Sequence, residues 1–338
     1  MKKIFKLHPF LFLFFLIIGC SQENKEYTFI KGEIFGTYYS IIYLHPRNVD
    51  LQEKIDFKFK EFNNSLSTYD PNSIISRINT NDSTVTTDHY FEEMFATARQ
   101  VSEKSGGAFD ITVAPLVNAW GFGFGHHDHS VLPNVDTIMP YIGYKKIRLE
   151  NHKLIKENKR IMLDASAIAK GQGADVIAKL LADNGSENYM VEIGGEVVCK
   201  GMNPKGEKWR IGIDKPEDDP VNENQELQII LAISDVGLAT SGNYRQFYLR
   251  NGKKYAHTIE PRTGYPVRHN LLSATVIAPS CMQSDAYATA FMVLGVDSSL
   301  RICNSFPDME CYLIYSDESG TIQTVFSDGF EKYIADSK

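Results

Sequence analysis

Residues Ala286–Gly295 read Ala-Tyr-Ala-Thr-Ala-Phe-Met-Val-Leu-Gly. They show no period-two alternation and almost no polar side chain. Such a run is a helix that is apolar nearly all round, and a helix of that kind belongs inside the core. Asp285 stands directly before it and Thr289 one turn later, so a carboxylate and a hydroxyl share one face of a buried helix. They can serve as a cap pair near the helix start. They can equally be two hard oxygen ligands for Mg²⁺, which prefers such donors and keeps several waters.

The segments around this helix read as one mixed unit without repeats. Residues 27–44 carry β-branched and aromatic residues around Gly32 and Gly36, a hairpin or strand pair. Leu51, Ile55, Phe59, Phe62 and Leu66 form a helical stripe. Phe91, Phe95, Ala98 and Val101 form a second, ended by Gly106-Gly107. Leu227, Ile229, Leu231 and Ile233 alternate as a half-buried strand. Phe247–Arg250 and Lys253–Thr258 flank Asn251-Gly252, the signal of a type I′ hairpin. Residues 308–328 form a closing hairpin around Glu318-Ser319-Gly320. Gly123–Pro140, with three histidines, and the acidic stretch Asp214–Asn224 read as surface loops. Antiparallel groups of strands with helices between them favour an α+β fold over a doubly wound parallel sheet.

The N-terminus reads as an address. Lys2, Lys3 and Lys6 precede an unbroken apolar run, Phe10–Ile18, which is far shorter than the roughly 20 residues of a spanning helix. Leu16-Ile17-Ile18-Gly19-Cys20 resembles a bacterial lipobox, in which Cys20 becomes the lipidated first residue. A plain secretory signal with an incidental Cys20 is the other reading. The expected division is a lipoprotein signal peptide at 1–19, a lipidated tether at 20–26 and one folded unit at 27–338. The protein is then exported and held by acyl chains, not threaded through the bilayer, facing the periplasm from the inner membrane. Removing residues 1–19 takes three lysines, so the formal charge of −7 becomes −10. That acidity excludes a general nucleic-acid binder, whose phosphate contacts reward a basic face. Cys199, Cys281, Cys303 and Cys311 remain, with no metal-site spacing and no readable pairing.

Further chemistry candidates are scattered. Leu163-Asp164-Ala165-Ser166-Ala167-Ile168-Ala169-Lys170-Gly171 is a run of small residues around one acid and one lysine. It reads as a loop that approaches a ligand, or as a surface loop, before Gly171, Gly173 and Ala174 lead into a helix. Gly106-Gly107-Ala108-Phe109-Asp110 either offers backbone groups to a flat ring or is a plain helix–turn–strand link. Tyr69, in Ser67-Thr68-Tyr69-Asp70-Pro71, is a stacking candidate or ordinary packing. His257, heading His257-Thr258-Ile259-Glu260-Pro261-Arg262-Thr263-Gly264, is a candidate general base or a polar residue at a strand end. Ser241, in Thr240-Ser241-Gly242, lacks a clear Ser-His-Asp setting.

The order of these motifs, from Phe35-Gly36-Thr37 through Gly194-Gly195 to Asp285–Thr289, resembles the ApbE family of FAD:protein FMN transferases over about residues 30–300. The resemblance implies a single α+β unit of the tunnelling-fold kind. It implies an exported, Mg²⁺-dependent enzyme that splits FAD, attaches FMN through a phosphoester to a threonine of an acceptor flavoprotein and releases AMP. By the same resemblance Phe35, Tyr69, Ala108, Phe109, Asp110, Asp164, Lys170 and Ile259 contact FAD. Asp285, Thr289 and the Ala167 carbonyl hold the metal, and His257 and Asp285 act in catalysis. Phe35 replaces a frequent methionine, and Gln172 replaces an aromatic residue common after Lys-Gly. The acceptors implied are subunits of membrane redox complexes of the Nqr or Rnf type. An Mg²⁺-dependent FAD pyrophosphatase and a non-catalytic FAD-binding lipoprotein are the competing functions.

Overall fold

The computed structural model describes residues 26–123, 132–216, 226–243, 247–250 and 253–336. Cys20 with its lipobox, most of the 20–26 tether, the tip of the histidine-bearing loop, most of the acidic segment and the Asn251-Gly252 turn lie outside the described residues. Among the described residues no helix is long and apolar enough to cross a membrane.

The centre is an eight-stranded sheet: β1 (Tyr27–Ile34), β2 (Thr37–Leu44), β3 (Asn188–Ile193), β4 (Glu196–Lys200), β5 (Val236–Gly242), β6 (Leu271–Ala278), β7 (Glu310–Ser316) and β8 (Ile322–Phe326). Its strands lie side by side in chain order, and every neighbouring pair is antiparallel. The α+β reading therefore stands. The β1–β2 link is Phe35-Gly36, both with positive φ (55° and 73°). That is the pattern of a type I′ turn, whose twist matches that of the strands it joins.

Four long helices lie on one face: α1 (Gln52–Leu66), α2 (His89–Lys104), α3 (Ala169–Asp183) and α4 (Cys281–Leu294). The α1 stripe buries Ile55, Phe59, Phe62 and Leu66. Ile55 and Phe59 join Ile177 and Leu181 of α3 over β1–β3. Met94, Phe95 and Ala98 of α2 join Ala286, Ala290 and Phe291 of α4 over β6 and β7. The opposite face is covered by the hairpin Trp209–Asp214/Leu227–Ile233 and by Phe330, packed on Val197, Ile277 and Ile314. Strand β6 sends Ala274 and Val276 to the helices and Ile277 to the hairpin. Burial on both faces explains its nearly continuous apolar sequence.

Two readings are corrected. The small-residue run does not stay a loop through Gly171: α3 begins at Ala169, so Lys170, Gly171 and Gly173 occupy its first turns. The strand after the Asn251-Gly252 turn ends at Ala256, leaving His257 and Thr258 outside it. Arg250 pairs with Lys253, so a two-residue connection is retained. The four described cysteines are buried free thiols.

Candidate active site

The site is built at the start of α4. Ser280 caps that helix by accepting from Gln283 N at 3.2 Å. Asp175 of α3 adds a second cap, accepting from Cys281 N at 2.9 Å and Met282 N at 2.8 Å. A negative charge there also complements the helix dipole, although burial pushes the Asp175 carboxyl up to about 7. Two glycines let neighbouring backbones press against the same turn. A Cβ on Gly171 would stand 2.3 Å from the Cys281 carbonyl oxygen, and one on Gly237 of β5 would stand 2.3 Å from Cys281 N. No side chain fits at either point.

This packing delivers Asp285 into the interior, 3% exposed. Its Oδ2 accepts from Gly171 N at 3.0 Å. Burial raises its pKa, against the opposing pull of Lys170 and the Gly171 N–H. Lys170 forms a hydrogen-bonded ion pair with Glu196 at the start of β4. Burial pulls the Lys170 ammonium down, but Asp285 and Glu196 outweigh it, so its pKa stands above the ordinary lysine value. Burial likewise raises Glu196, and Lys170 opposes the rise. Two buried carboxylates and a half-buried ammonium thus meet at one spot.

The Gly171 N–H has a second consequence. In a regular helix it would donate to the Ala167 carbonyl, four residues back. It goes to Asp285 instead, and among the described residues no backbone N–H donates to Ala167 O. Thr289 lies one turn beyond Asp285, half-buried, its hydroxyl 3.3 Å from Ser241 Oγ. Ser241 therefore faces a threonine, and among the described residues no histidine bonds to it. No three His, Cys, Asp or Glu side chains gather as a metal cluster among the described residues. The donors present are of another kind: a buried carboxylate, a hydroxyl and an unclaimed carbonyl. All three are hard oxygens and suit a cation of the Mg²⁺ class.

The other sequence candidates lie on separate elements, each with its own local contacts. Phe35, at the β1–β2 turn, packs on Phe59 and Phe62 with ring centroids 6.2 and 5.4 Å apart, and its ring edge lies 3.0 Å from where a Gly173 Cβ would stand. Tyr69 follows α1 and is 77% exposed. Ala108 and Phe109 are buried, and Phe109 belongs to the main core, so that segment has backbone rather than side chains to offer a ligand. Asp110 spends its carboxylate internally, accepting from Thr112 N, Thr112 Oγ1 and Tyr144 N at 2.7–2.8 Å. Asp164 is tied to this segment by its N–H to Ile111 O at 2.8 Å, and its Oδ1 accepts from Ser166. Ile259 is buried in a small cluster with Leu116 and Trp120. His257 is half-buried, edge-on to Phe122 at 6.3 Å. Next to it, Thr258 Oγ1 donates to Asn243 Oδ1 at 2.5 Å, which pins the histidine's loop to the end of β5. Glu196 is a residue that sequence reasoning passed over. Its only signal is its place after Gly194-Gly195.

The architecture is thus an antiparallel α+β unit with an oxygen-rich, charge-dense site where α3, α4 and β4 meet. The chain belongs to the ApbE family, whose sequence profile matches residues 35–313. The FAD:protein FMN transferase of Haemophilus influenzae is 34% identical over 331 residues, 94% of each chain. That of Escherichia coli (strain K12) is 32% identical over 344 residues, 96% of each chain. Among solved structures, the flavin transferase ApbE from Vibrio cholerae superposes with a TM-score of 0.82 at 33% identity, covering 91% of this chain and 99% of that one. The apo flavinyl transferase ApbE of Pseudomonas stutzeri gives 0.80 at 27%, covering 93% and 98%.

Proposed function

We propose that this protein is an Mg²⁺-dependent FAD:protein FMN transferase. It moves the FMN half of FAD to a threonine of an acceptor flavoprotein and releases AMP. The observation that carries this reading is the turning of Gly171 N from Ala167 O to Asp285, which leaves a carbonyl, a carboxylate and the Thr289 hydroxyl as oxygen donors beside Lys170. Full-length similarity to proteins named for this activity supports it.

In this reading Asp285, Thr289 and the Ala167 carbonyl hold Mg²⁺, which would supply Lewis-acid neutralisation of the charge that grows on the leaving phosphate. Lys170 adds a positive charge for the pyrophosphate. Phe35, Tyr69, the 108–110 backbone, Asp164 and Ile259 bind and orient the dinucleotide. The acceptor threonine Oγ forms a bond to the FMN phosphorus as the bridging P–O bond to AMP breaks. The hydroxyl proton passes to His257, and the electron pair of the broken bond leaves on AMP. We also place the protein as a lipoprotein anchored through Cys20 and facing the periplasm from the inner membrane, where its acceptor is a flavin-bearing subunit of an Nqr- or Rnf-type redox complex.

The test is to incubate the soluble chain with FAD and Mg²⁺, with and without a threonine-bearing acceptor domain, and to measure AMP and protein-bound flavin. AMP released only with the acceptor is the expected result. AMP without acceptor makes the protein an FAD pyrophosphatase. Tight FAD binding with no AMP makes it a carrier.

Two substitutions probe the parts. His257→Ala is expected to slow transfer by about 10²–10⁴-fold, the usual worth of a positioned acid–base group, while FAD affinity changes by less than about threefold. Equal loss of both would remove the base role. Tyr69 is so exposed that Tyr69→Ala leaves the melting midpoint unchanged. Loss of a stacked ring worth ~1 kcal/mol weakens FAD binding by about fivefold. Unaltered FAD affinity, read by fluorescence quenching, would show that Tyr69 does not touch the flavin or adenine.

A further inference from the structure

Glu196 opens β4 directly after Gly194 and Gly195, whose φ values of 59° and 101° turn the chain back from β3. Its side chain is 4% exposed. Oε1 takes the Lys170 ammonium, while Oε2 is buried and accepts no hydrogen bond from a protein group among the described residues. A buried carboxylate oxygen without a donor is destabilising, and groups of this kind in native proteins call for an explanation. The strand's apolar packing is done by Val197 and Cys199 on the hairpin face, and Glu196 is not part of it.

Lys170 supplies the explanation. It carries a compact charge on a flexible four-carbon stem, and two carboxylates attract it, Asp285 and Glu196. Among the described residues its ammonium pairs with Glu196 and not with Asp285. Without Glu196, the nearest counter-charge for Lys170 is Asp285. A lysine seated there would cancel the charge of the one carboxylate among the cation donors.

We propose that Glu196 is a positioning residue: its ion pair holds the Lys170 ammonium away from Asp285, which keeps Asp285 open to a divalent cation and Lys170 directed at a ligand's phosphate. The proposal deepens the flavin-transfer reading and rests on it for the identity of the phosphate ligand.

Mn²⁺ binding to the full chain without FAD, followed by electron paramagnetic resonance, tests it. Glu196→Gln is close to isosteric and is expected to weaken Mn²⁺ about tenfold, the low end for a residue that supports a metal ligand from behind. In a Lys170→Met background the same change is expected to cost no more than about twofold, because only the through-space loss of one charge remains. Glu196→Asp, which keeps the charge, is expected to bind Mn²⁺ within about threefold of wild type. A side chain that merely supported the fold would weaken binding equally in both backgrounds, and that result overturns the proposal. So does wild-type affinity in Glu196→Gln, a loss in Glu196→Asp as large as in Glu196→Gln, or a wild-type chain that binds no Mn²⁺. AMP release with acceptor, measured on the same wild-type preparation, reports separately on the flavin-transfer reading.

Discussion

Asp285→Asn is expected to abolish flavin transfer, with a loss on the order of 10³-fold, the scale reached when one preorganised electrostatic partner of a transition state is removed, and to leave the fold intact. The amide matches the carboxylate in shape and can still accept from Gly171 N. What disappears is one negative charge at a spot that already strains to hold it: the residue is 3% exposed, and burial raises its pKa. Taking that charge out removes a desolvation cost and one of the two attractions on Lys170, which retains its pairing with Glu196. These effects oppose one another, so the melting midpoint is expected to move by no more than about 3 °C. A residue that lowers stability but is indispensable to turnover is the mark of a site selected for chemistry. The measurement is AMP release with acceptor and Mg²⁺ alongside a thermal melt. A folded Asp285→Asn protein that releases AMP at the normal rate would sink the metal role. A midpoint lower by more than about 5 °C would show that the charge is instead needed by the fold.

Much of this was legible in the residues, and the gaps have physical causes. The Asp285–Thr289 pair could be read because four-residue spacing on a helix fixes a shared face whatever the tertiary structure. The strand pair over residues 27–44 and the α1 stripe were legible for the same reason: their determinants are local, although of the two glycines only Gly36 is at the turn and Gly32 lies inside β1. The position of Lys170 was not, since two glycines within four residues argue for a loop by propensity, whereas here they occupy the first turns of α3. Their presence is set by what lies across from them, the Cys281 backbone and the Phe35 ring. The sheet could be recognised as antiparallel, but not its width, because β2 and β3 pair across an insertion that holds α1, α2 and α3. Glu196 was invisible because an acid after a Gly-Gly turn looks like a solvated one. Only the arrival of Lys170 from another element makes it a partner.

Gly171 puts that conflict between local and tertiary rules to a direct test. Helix propensity alone says that Gly171→Ala, inside α3, should stabilise by about 1 kcal/mol. The packing says the opposite. The new methyl would stand 2.3 Å from the Cys281 carbonyl oxygen, 2.7 Å from its carbonyl carbon and 2.8 Å from Asp285 Cβ. Two of these are backbone atoms of α4, which cannot swing aside as a side-chain tip can, so α3 and α4 must part. Overpacking of this kind typically costs about 1–3 kcal/mol and occasionally more. With backbone on the opposing side, the upper end is expected, a fall of roughly 5 °C or more in the melting midpoint. Gly173→Ala is the internal control. It sits on the same helix with the same propensity gain, but its methyl meets the Phe35 ring at 3.0 Å and Ile193 Cδ1 at 3.4 Å, side chains that can yield. Its midpoint is expected to stay within about 2 °C of wild type. Parting α3 from α4 also lengthens the Gly171 N to Asp285 Oδ2 bond and shifts the Ala167 carbonyl with it. Gly171→Ala should therefore lose flavin transfer even at temperatures well below its melt, by about 10²-fold, the scale of a 1 Å misplacement at a reacting centre. If Gly171→Ala instead melts higher than wild type and turns over normally, the close approach of the two helices is not what holds the site.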